Sequence, residues 1–320
     1  MRLLLVTRQP QAIVFNFRIA LQMDLTHIGL LLGLFGAACQ ALNYAVTKDV
    51  QQKYTLGGLK LLSATHVMMF ICVIIPFVLC AHYEYIDKYS VFYSYCIIFP
   101  YLGGQYFTNK AIDLSDSSIV SPLLTIKIPI LALISIFMLG KGFNTHQTAA
   151  IIIILSLGWY FSSLSGRIAF GSFLCVTMGC ICYCLSDLAM GVLLMPYFKS
   201  VGVDNWMEQV FLGCTFEYVF CGLFALPFLL TGGRRWRICG RDVWETRWIT
   251  VTWLLNMVGI VSCFNLAGVV DGNIVQSLRS VIGVIIAYLF FRKYIKDHTT
   301  FRKKLFIALS MFGAVAIYYW

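Results

Sequence analysis

The sequence predicts an all-α integral membrane protein with ten transmembrane helices, arranged as two inverted five-helix repeats. Three observations predict this class. Hydrophobic residues make up 60% of the 320 positions and charged residues only 12%, about half the charged fraction of a soluble domain. The mean hydropathy is +0.81. Apolar runs of 18 or more residues recur along the chain, and each is long enough to cross a hydrocarbon core of about 30 Å as a helix.

Ten spans follow from the positions of these apolar runs, and the polar stretches between them are short. The longest polar stretches are "MPYFKSVGVDNW" and "TGGRRWRICGRDVWETR". The predicted spans lie at about 26–47, 59–81, 90–110, 117–139, 147–164, 170–194, 208–230, 247–267, 272–291 and 303–320.

Residues 1–25 are predicted to form an N-terminal arm. Its first 22 residues hold three Arg, no acidic residue and an apolar core of only four residues, which is too short for a signal peptide or a membrane span. Met23 comes directly before "DLTHIGLLLGLFG". A start at Met23 is therefore one interpretation, and an amphipathic or targeting arm is the alternative.

An internal repeat divides the rest of the chain into halves at 26–164 and 165–320. The first helices of the two halves align Gly36 with Gly179 and Cys39 with Cys182. Downstream, a constant shift of 155 residues aligns Gly104 with Gly259, Asp116 with Asp271, Leu123 with Leu278, Lys141 with Lys296, and Gly158 with Gly313.

The odd number of spans in each half has a geometric consequence. The second half must enter the membrane from the opposite side, so the two halves are predicted to be inverted repeats. This architecture recurs in secondary transporters, where the substrate binds near the midplane between the repeats. We therefore expect a transporter.

Two five-helix halves of this length resemble the drug/metabolite transporter superfamily, specifically its EamA-like members. The best-matching segment is "KAIDLSDSSIVSPLLTIKIPILALISIFMLGKGFNTHQTAAIIIILSLGWYF", in which Pro122, Gln147 and Gly158 match family features. The family's Glu at the end of the fourth helix is replaced by Lys141, and the second half has Lys296. The resemblance implies that the fourth and ninth helices border a central cavity.

Two cations inside predicted spans are the main candidates for a binding site. Lys127 lies about 15 Å into the fourth span and Arg279 about 10 Å into the ninth, where a charge costs at least ~2.5–3.5 kcal/mol. The repeat places Arg279 on Leu124, three residues before Lys127 and therefore on the same helix face. With the resemblance, both cations are expected in one chamber.

Asp187 and Glu217 are the acidic residues well inside the predicted spans, and two interpretations of the four charges stay open. In the first, the charges form internal ion pairs. In the second, at least one cation binds an anionic group of the substrate, such as a carboxylate or a phosphate. Asp187 or Glu217 would then be a counter-ion or a coupling group, because burial favours a protonated carboxyl.

Polar residues at helical spacing extend the candidate site. Gln40 and Asn43 lie on the first span, Tyr101 and Gln105 on the third, and Asn256 on the eighth. We expect them to contact the substrate. The alternative is hydrogen bonding between helices, which is common in membranes and contributes only ~0.6 kcal/mol on average.

The distribution of positive charge predicts an orientation. Two thirds of the 24 Lys and Arg residues lie in the loops that follow odd-numbered spans. The positive-inside rule places those loops in the cytoplasm and both termini outside, whereas the resembled superfamily has its termini in the cytoplasm. We expect a multi-pass protein of the plasma (inner) membrane.

The predicted function is secondary transport of a small polar or amphipathic metabolite by alternating access. No P-loop, H-E-x-x-H or G-x-S-x-G motif is present, so an enzyme is not expected. A non-transporting membrane receptor or assembly protein is the alternative. We expect no cofactor, no metal and no nucleic-acid partner, while the use of protons as a coupling ion stays open.

Overall fold

The computed structural model describes residues 9–80, 83–114, 120, 123–140, 142–164, 170–230, 237–291 and 298–319. These ranges are overwhelmingly helical and contain no β-strand, which confirms the all-α class. Four residues used in the sequence comparison, Asp116, Pro122, Lys141 and Lys296, lie outside the described ranges.

The helices of the first half begin with a long one. It extends past the predicted end of its span at residue 47 and stays helical through its polar end to Tyr54, after which Thr55 has a φ of +53°. The helices of this half are α1 (Gln9–Tyr54), α2 (Gly58–Leu79), α3 (Lys88–Leu114), α4 (Lys127–Leu139) and α5 (Thr145–Ser163).

The helices of the second half follow the same order. The first of them continues through a π-helical turn at Met190–Leu194 into Met195–Ser200, where Pro196 lacks the N–H of a regular helix. The helices are α6 (Phe170–Ala189), α7 (Trp206–Ala225), the short α8 (Gly240–Glu245), α9 (Arg247–Leu266), α10 (Val269–Ser277), α11 (Arg279–Phe291) and α12 (His298–Tyr319).

Both intramembrane cations lie directly after an irregularity in a helix. A 3₁₀ turn at Leu124–Ile126 comes before α4, whose first residue is Lys127. Pro129 removes the N–H that would bond four residues back, which favours this irregular turn. In the second half, Leu278 separates α10 from α11, whose first residue is Arg279. Each cation therefore starts the second segment of a broken helix.

The two halves pack against each other in a reciprocal pattern. Helix α1, the first of its half, packs along α9, the third long helix of the other half. Helix α3 packs along α6 in the same way with the halves exchanged. The remaining helices meet their counterparts, α2 with α7, α4 with α10 and α5 with α12. The core thus lies between the halves.

Glycine pairs permit the closest of these helix crossings. A Cβ added to Gly259 of α9 would lie 2.9 Å from the Gly36 Cα of α1 and 2.5 Å from the Leu32 carbonyl oxygen. At the reciprocal crossing, a Cβ on Gly179 of α6 would lie 3.4 Å from the carbonyl oxygen of Gly104 in α3. The repeat aligns these same glycines, Gly36 with Gly179 and Gly104 with Gly259. Small residues allow this approach of backbones in membrane helices.

Within the described ranges, four helical segments are long and apolar enough to cross a membrane: Leu25–Tyr54, Gly58–Leu79, Phe170–Ser200 and Arg247–Leu266. Two shorter apolar segments are Leu124–Ile134 and Thr145–Phe161. These segments agree with a multi-pass membrane protein. The number of ten spans and their inverted relation are not confirmed by the helix pattern and stay predictions.

Candidate functional site

A central cavity lies between the two halves. Its walls come from α1, α3, α4, α6, α7, α9, α10 and α11 and from the π-helical turn after α6. Seven of the nine predicted site residues line it, namely Gln40, Tyr101, Lys127, Asp187, Glu217, Asn256 and Arg279. The structure therefore brings both intramembrane cations and both intramembrane acids to one place.

Lys127 has a carboxylate partner. Its Nζ lies 2.5 Å from Asp187 Oδ2 and donates a hydrogen bond of 3.1 Å to Gln276 Oε1. The ammonium also lies 5.5 Å from the centre of the Tyr183 ring, within range of a cation–π interaction. Lys127 is 6% exposed. These contacts link α4 to α6 and α10 and satisfy the buried charge.

Arg279 has a different environment although it occupies the corresponding helix position. Its Nη1 donates a hydrogen bond of 3.2 Å to Gln40 Oε1, which is a neutral acceptor. Its Nε has no hydrogen-bond partner within the described ranges, although the residue is only 3% exposed. Among the described residues, no carboxylate pairs with this guanidinium. The positive charge of Arg279 is therefore without a counter-charge in the part of the chain that the structure describes.

Glu217 on α7 and Asn256 on α9 are buried polar groups that line the same cavity. Glu217 is 2% exposed, and neither oxygen of its carboxyl has a hydrogen-bond partner within the described part of the chain. Asn256 is fully buried, and both ends of its amide are also without partners there. Buried polar groups are normally satisfied, so these two side chains are available to a ligand.

A second cavity adjoins the first. It contains the other two predicted site residues, Asn43 and Gln105, together with His66. Asn43 Nδ2 donates to the Ile249 carbonyl at 2.8 Å and to Thr252 Oγ1 at 2.9 Å. The structure thus separates these two residues from the central cavity. For Asn43 the contacts are those of a hydrogen bond between helices, which was the alternative interpretation.

Three aromatic residues, Tyr44, Tyr101 and Trp253, line both cavities. The Tyr101 and Trp253 rings lie 6.1 Å apart, and the Tyr101 hydroxyl lies 3.2 Å from His66 Nε2. Trp253 Nε1 donates a hydrogen bond of 2.8 Å to the Tyr218 hydroxyl. We call Tyr44, Tyr101 and Trp253 the aromatic layer. It separates a charged cavity from a neutral, polar one.

Sequence reasoning missed several residues of the central cavity, chiefly Gln276, Tyr183, Tyr44 and Trp253. Gln276 lies three residues before Arg279, and Tyr183 four residues before Asp187, so both share a helix face with a predicted residue. That spacing was a usable signal. Tyr44, four residues after Gln40, and Trp253, three residues before Asn256, have the same spacing, but aromatic residues are common throughout membrane helices and did not stand out as site residues.

The fold and the site define a class of protein: a helical membrane protein with a charged cavity between two packed halves. Residues 27–164 match the model of the EamA-like transporter family, which confirms the resemblance to the drug/metabolite transporter superfamily. The matched part corresponds to the first half. The match indicates a membrane transporter of the drug/metabolite type, and this fits the expectation that the chain is not an enzyme.

Comparison with solved structures supports the fold alone. One solved structure, which bears only the description "Crystal structure of protein", is 13% identical in sequence to this chain and superposes on it with a TM-score of 0.62. The likeness covers 92% of this chain and 96% of that chain. No curated protein matches this chain.

Proposed function

We propose that this protein is a secondary transporter that moves a small polar or amphipathic metabolite bearing an anionic group by alternating access. The observation that carries the proposal is the unequal state of the two cations. Lys127 is neutralised by Asp187 at 2.5 Å, whereas Arg279 has a neutral amide as its hydrogen-bond partner. An anionic group of the substrate would provide the missing counter-charge.

The different partners of Lys127 and Arg279 bear on the choice between internal ion pairing and binding of a substrate anion. Internal pairing accounts for Lys127, and removing either partner would leave an unpaired buried charge. It does not account for Arg279, which remains buried against Gln40 with its Nε free within the described residues. A desolvated guanidinium is well suited to bind a carboxylate or a phosphate, because its N–H groups form a planar fork. We therefore assign anion binding to Arg279 and a supporting role to Lys127.

The packing of the two halves supports alternating access. The reciprocal contacts of α1 with α9 and of α3 with α6 are those expected of two related halves. Both cations follow a break in a helix, and discontinuous helices at a midplane site are a recurring feature of secondary transporters. In this proposal the inverted halves rock about the central cavity.

We propose that the substrate passes through the two adjoining cavities. The second cavity lies towards the polar end of α1, and the aromatic layer separates it from the central cavity. We propose that the aromatic layer closes this side of the site in the present conformation and opens when the halves rock. The plasma membrane is the proposed location.

The proposal is tested by ligand binding followed by transport. Purified protein is screened with a library of small metabolites by thermal shift, using the wild type, Arg279→Gln and the control Arg241→Gln, whose side chain is exposed. We expect anion-bearing ligands to stabilise the wild type and Arg241→Gln but not Arg279→Gln. A radiolabelled hit is then expected to show counterflow in proteoliposomes.

Two outcomes would contradict the proposal. Ligands that stabilise the protein without any counterflow would favour the receptor alternative. Ligands that stabilise Arg279→Gln as well as the wild type would remove Arg279 from the binding site.

A further inference from the structure

We propose that the segment from Arg237 to Trp248 binds the headgroup of an anionic phospholipid on the predicted cytoplasmic side of the membrane. The members of this surface are Arg237, Arg241, Trp244 and Trp248, and we call them the Arg/Trp patch. The two arginines contact the lipid phosphate, and the two indoles lie at the level of the headgroups. None of the four residues lines either cavity, so the inference does not depend on the substrate proposed above.

The segment is held against the membrane helices by one face of α8. Ile238 and Val243 are buried there and cluster with residues of α2 and α7. Asp242 accepts a hydrogen bond of 3.0 Å from the Cys239 N–H at the start of α8, and it forms a bridge of 3.0 Å to Lys60 of α2. The segment therefore has a fixed position on the bundle, and its other face is left exposed.

The exposed face carries positive charge and large aromatic rings. Arg237 and Arg241 are exposed, and Trp244 and Trp248 are 59% and 58% exposed. Arg241, Trp244 and Trp248 follow one another at spacings of three and four residues, which bring helical side chains to one face. An indole combines an apolar body with a polar N–H, and tryptophan is enriched where a membrane meets water. This face therefore has the composition of a membrane-surface contact.

The ends of two apolar segments place the Arg/Trp patch at the membrane boundary. Trp248 is the second residue of the segment Arg247–Leu266, and Lys60 is the third residue of the segment Gly58–Leu79. Both segments begin beside α8, because the bridge from Lys60 to Asp242 joins α2 to α8. Phospholipid headgroups lie at this level, so the patch is within their reach.

The charges of the patch favour an anionic lipid over a neutral one. The acidic residues of the segment are already paired, Asp242 by the bridge to α2 and Glu245 by Arg247 at 3.5 Å. In the part of the chain that the structure describes, no carboxylate forms an ion pair with Arg237 or Arg241. The planar fork of a guanidinium fits phosphate oxygens, and basic residues beside a membrane surface attract anionic lipids.

One indole of the patch is positioned by the protein itself. The Arg247 guanidinium lies 4.9 Å from the centre of the Trp244 ring, within range of a cation–π interaction. Its Nη1 also donates a hydrogen bond of 3.0 Å to the Trp244 carbonyl oxygen. A ring that is ordered before the ligand arrives lowers the entropic cost of binding.

Binding of matched phospholipids to the purified full chain tests this inference. Phosphatidylglycerol and phosphatidylcholine with the same acyl chains are added to the protein in detergent, and native mass spectrometry measures the dissociation constant of the first bound lipid. Each cation beside an anionic lipid contributes about fivefold in affinity. We therefore expect phosphatidylglycerol to bind about 30-fold more tightly than phosphatidylcholine, whose choline compensates its phosphate.

Substitutions then locate the bound lipid. The pair Arg237→Gln/Arg241→Gln is expected to remove most of the preference for phosphatidylglycerol, and Arg237→Lys/Arg241→Lys should retain more of it because the charges remain. Trp244→Ala should weaken the binding of both lipids. The matched control is the pair Arg302→Gln/Lys303→Gln on α12, two exposed cations that the ten-span prediction places on the same side of the membrane. This control should keep the preference of the wild type.

Gel filtration and the melting temperature without added lipid check that the variants fold. Equal affinities of the wild type for the two lipids, or an unchanged preference in the Gln pair, would overturn the inference. An equal loss from the control pair would also overturn it, because the preference would then come from the net charge of this side of the protein. Displacement of phosphatidylglycerol by inorganic phosphate at equal concentration would contradict a lipid site and indicate a site for the free anion.

The outcome is separate from that of the proposed function. The metabolite screen contains no added phospholipid, and Arg241 lines neither cavity, so Arg241→Gln keeps its role there as the control for Arg279. The metabolite screen and the counterflow assay decide the transport proposal whether or not the Arg/Trp patch binds lipid.

Discussion

Lys127 Nζ lies 2.5 Å from Asp187 Oδ2, with side chains that are 7% and 17% exposed. The pair joins the fourth predicted span to the sixth, across the boundary between the two halves. The pair lines the same cavity as Arg279, which has no charged partner among the described residues. This contrast between the two cations is the central feature of the site. The strength of the pair and its role in folding can be measured separately from ligand binding.

Replacing Lys127 by Met is expected to destabilise the protein by about 3–5 kcal/mol, because it leaves the Asp187 carboxylate buried and unpaired. The double variant Lys127→Met/Asp187→Asn should recover most of this loss. The unfolding free energy in detergent measures both effects. Lys60 is the control, since its 3.0 Å bridge to Asp242 is partly exposed, and Lys60→Met should cost at most about 1 kcal/mol. Equal losses from the two lysine variants would contradict the prediction.

Gly259→Ala is expected to destabilise the protein by about 1–3 kcal/mol. The new Cβ would lie 2.5 Å from the Leu32 carbonyl oxygen, and a backbone atom of a neighbouring helix cannot move aside without separating α1 from α9. Gly179→Ala should cost less, because its nearest contact is the Thr108 hydroxyl at 3.2 Å. Gly313→Ala, which meets no atom within 4 Å, serves as the control and should be neutral or slightly stabilising. Thermal unfolding of the three variants measures the order.

The hydrogen bond from Trp253 to Tyr218 is expected to support the aromatic layer. Tyr218→Phe removes the acceptor for Trp253 Nε1, which lies 2.8 Å from the hydroxyl, and both residues are buried. A loss of about 1–3 kcal/mol should follow, because the indole N–H is left unsatisfied. In a double-mutant cycle with Trp253→Phe the two losses should not add. Additive losses would show that the bond contributes nothing.

Asp87 is expected to make part of the stability depend on pH. Its Oδ1 accepts hydrogen bonds from the Ser90 N–H at 2.8 Å and from the Tyr89 N–H at 2.9 Å. The bond from Ser90 is the main reason why the pKa of Asp87 is below its ordinary value of 3.8. A lowered pKa in the folded state stabilises the protein above the ordinary value, and this stabilisation is lost as the pH falls through the lower, folded-state pKa.

Asp87→Ala should therefore lower the melting temperature by a constant amount from about pH 5 to pH 8, and the difference from the wild type should shrink below pH 3.8. The matched control is Asp204→Ala, at an exposed loop position. A difference that grows as the pH falls would have the wrong sign.

Two exposed cysteines provide a test of the orientation. Cys80 directly follows α2, at the end of the second predicted span, and Cys239 comes directly before α8, in the loop after the seventh span. The ten-span prediction places these two positions on opposite sides of the membrane. The positive-inside rule puts the loop of Cys239 in the cytoplasm. In intact cells a membrane-impermeant thiol reagent should label Cys80 and spare Cys239. Cys80→Ser and Cys239→Ser identify the labelled site, and the reverse result would place both termini in the cytoplasm.

Much of the fold was predictable because the bilayer imposes it. A helix satisfies its own backbone hydrogen bonds and is therefore the structure that a long apolar run adopts in lipid. Run length located α2, α5 and α9 to within a few residues, whereas α1 extends well beyond its predicted span at both ends. The repeat was readable from glycines such as Gly104 and Gly259, and the structure uses them at equivalent helix crossings. Lys127 and Arg279 were recognisable as candidates because a charge inside a span is costly.

The partners of these charges were decided only by the tertiary structure. Lys127 pairs with Asp187, 60 positions away, and donates to the side-chain amide of Gln276 on α10. Asn43 and Gln105 lie in the neighbouring cavity, although each follows a residue of the central cavity, Gln40 or Tyr101, at helical spacing. Helical spacing determines which side chains share a face but not what that face meets. Depth and rotation of each helix depend on how the halves pack. The sequence by itself therefore determined the membrane helices and the buried charges, and the packing of the halves decided that Arg279 and Glu217 border one cavity without charged partners.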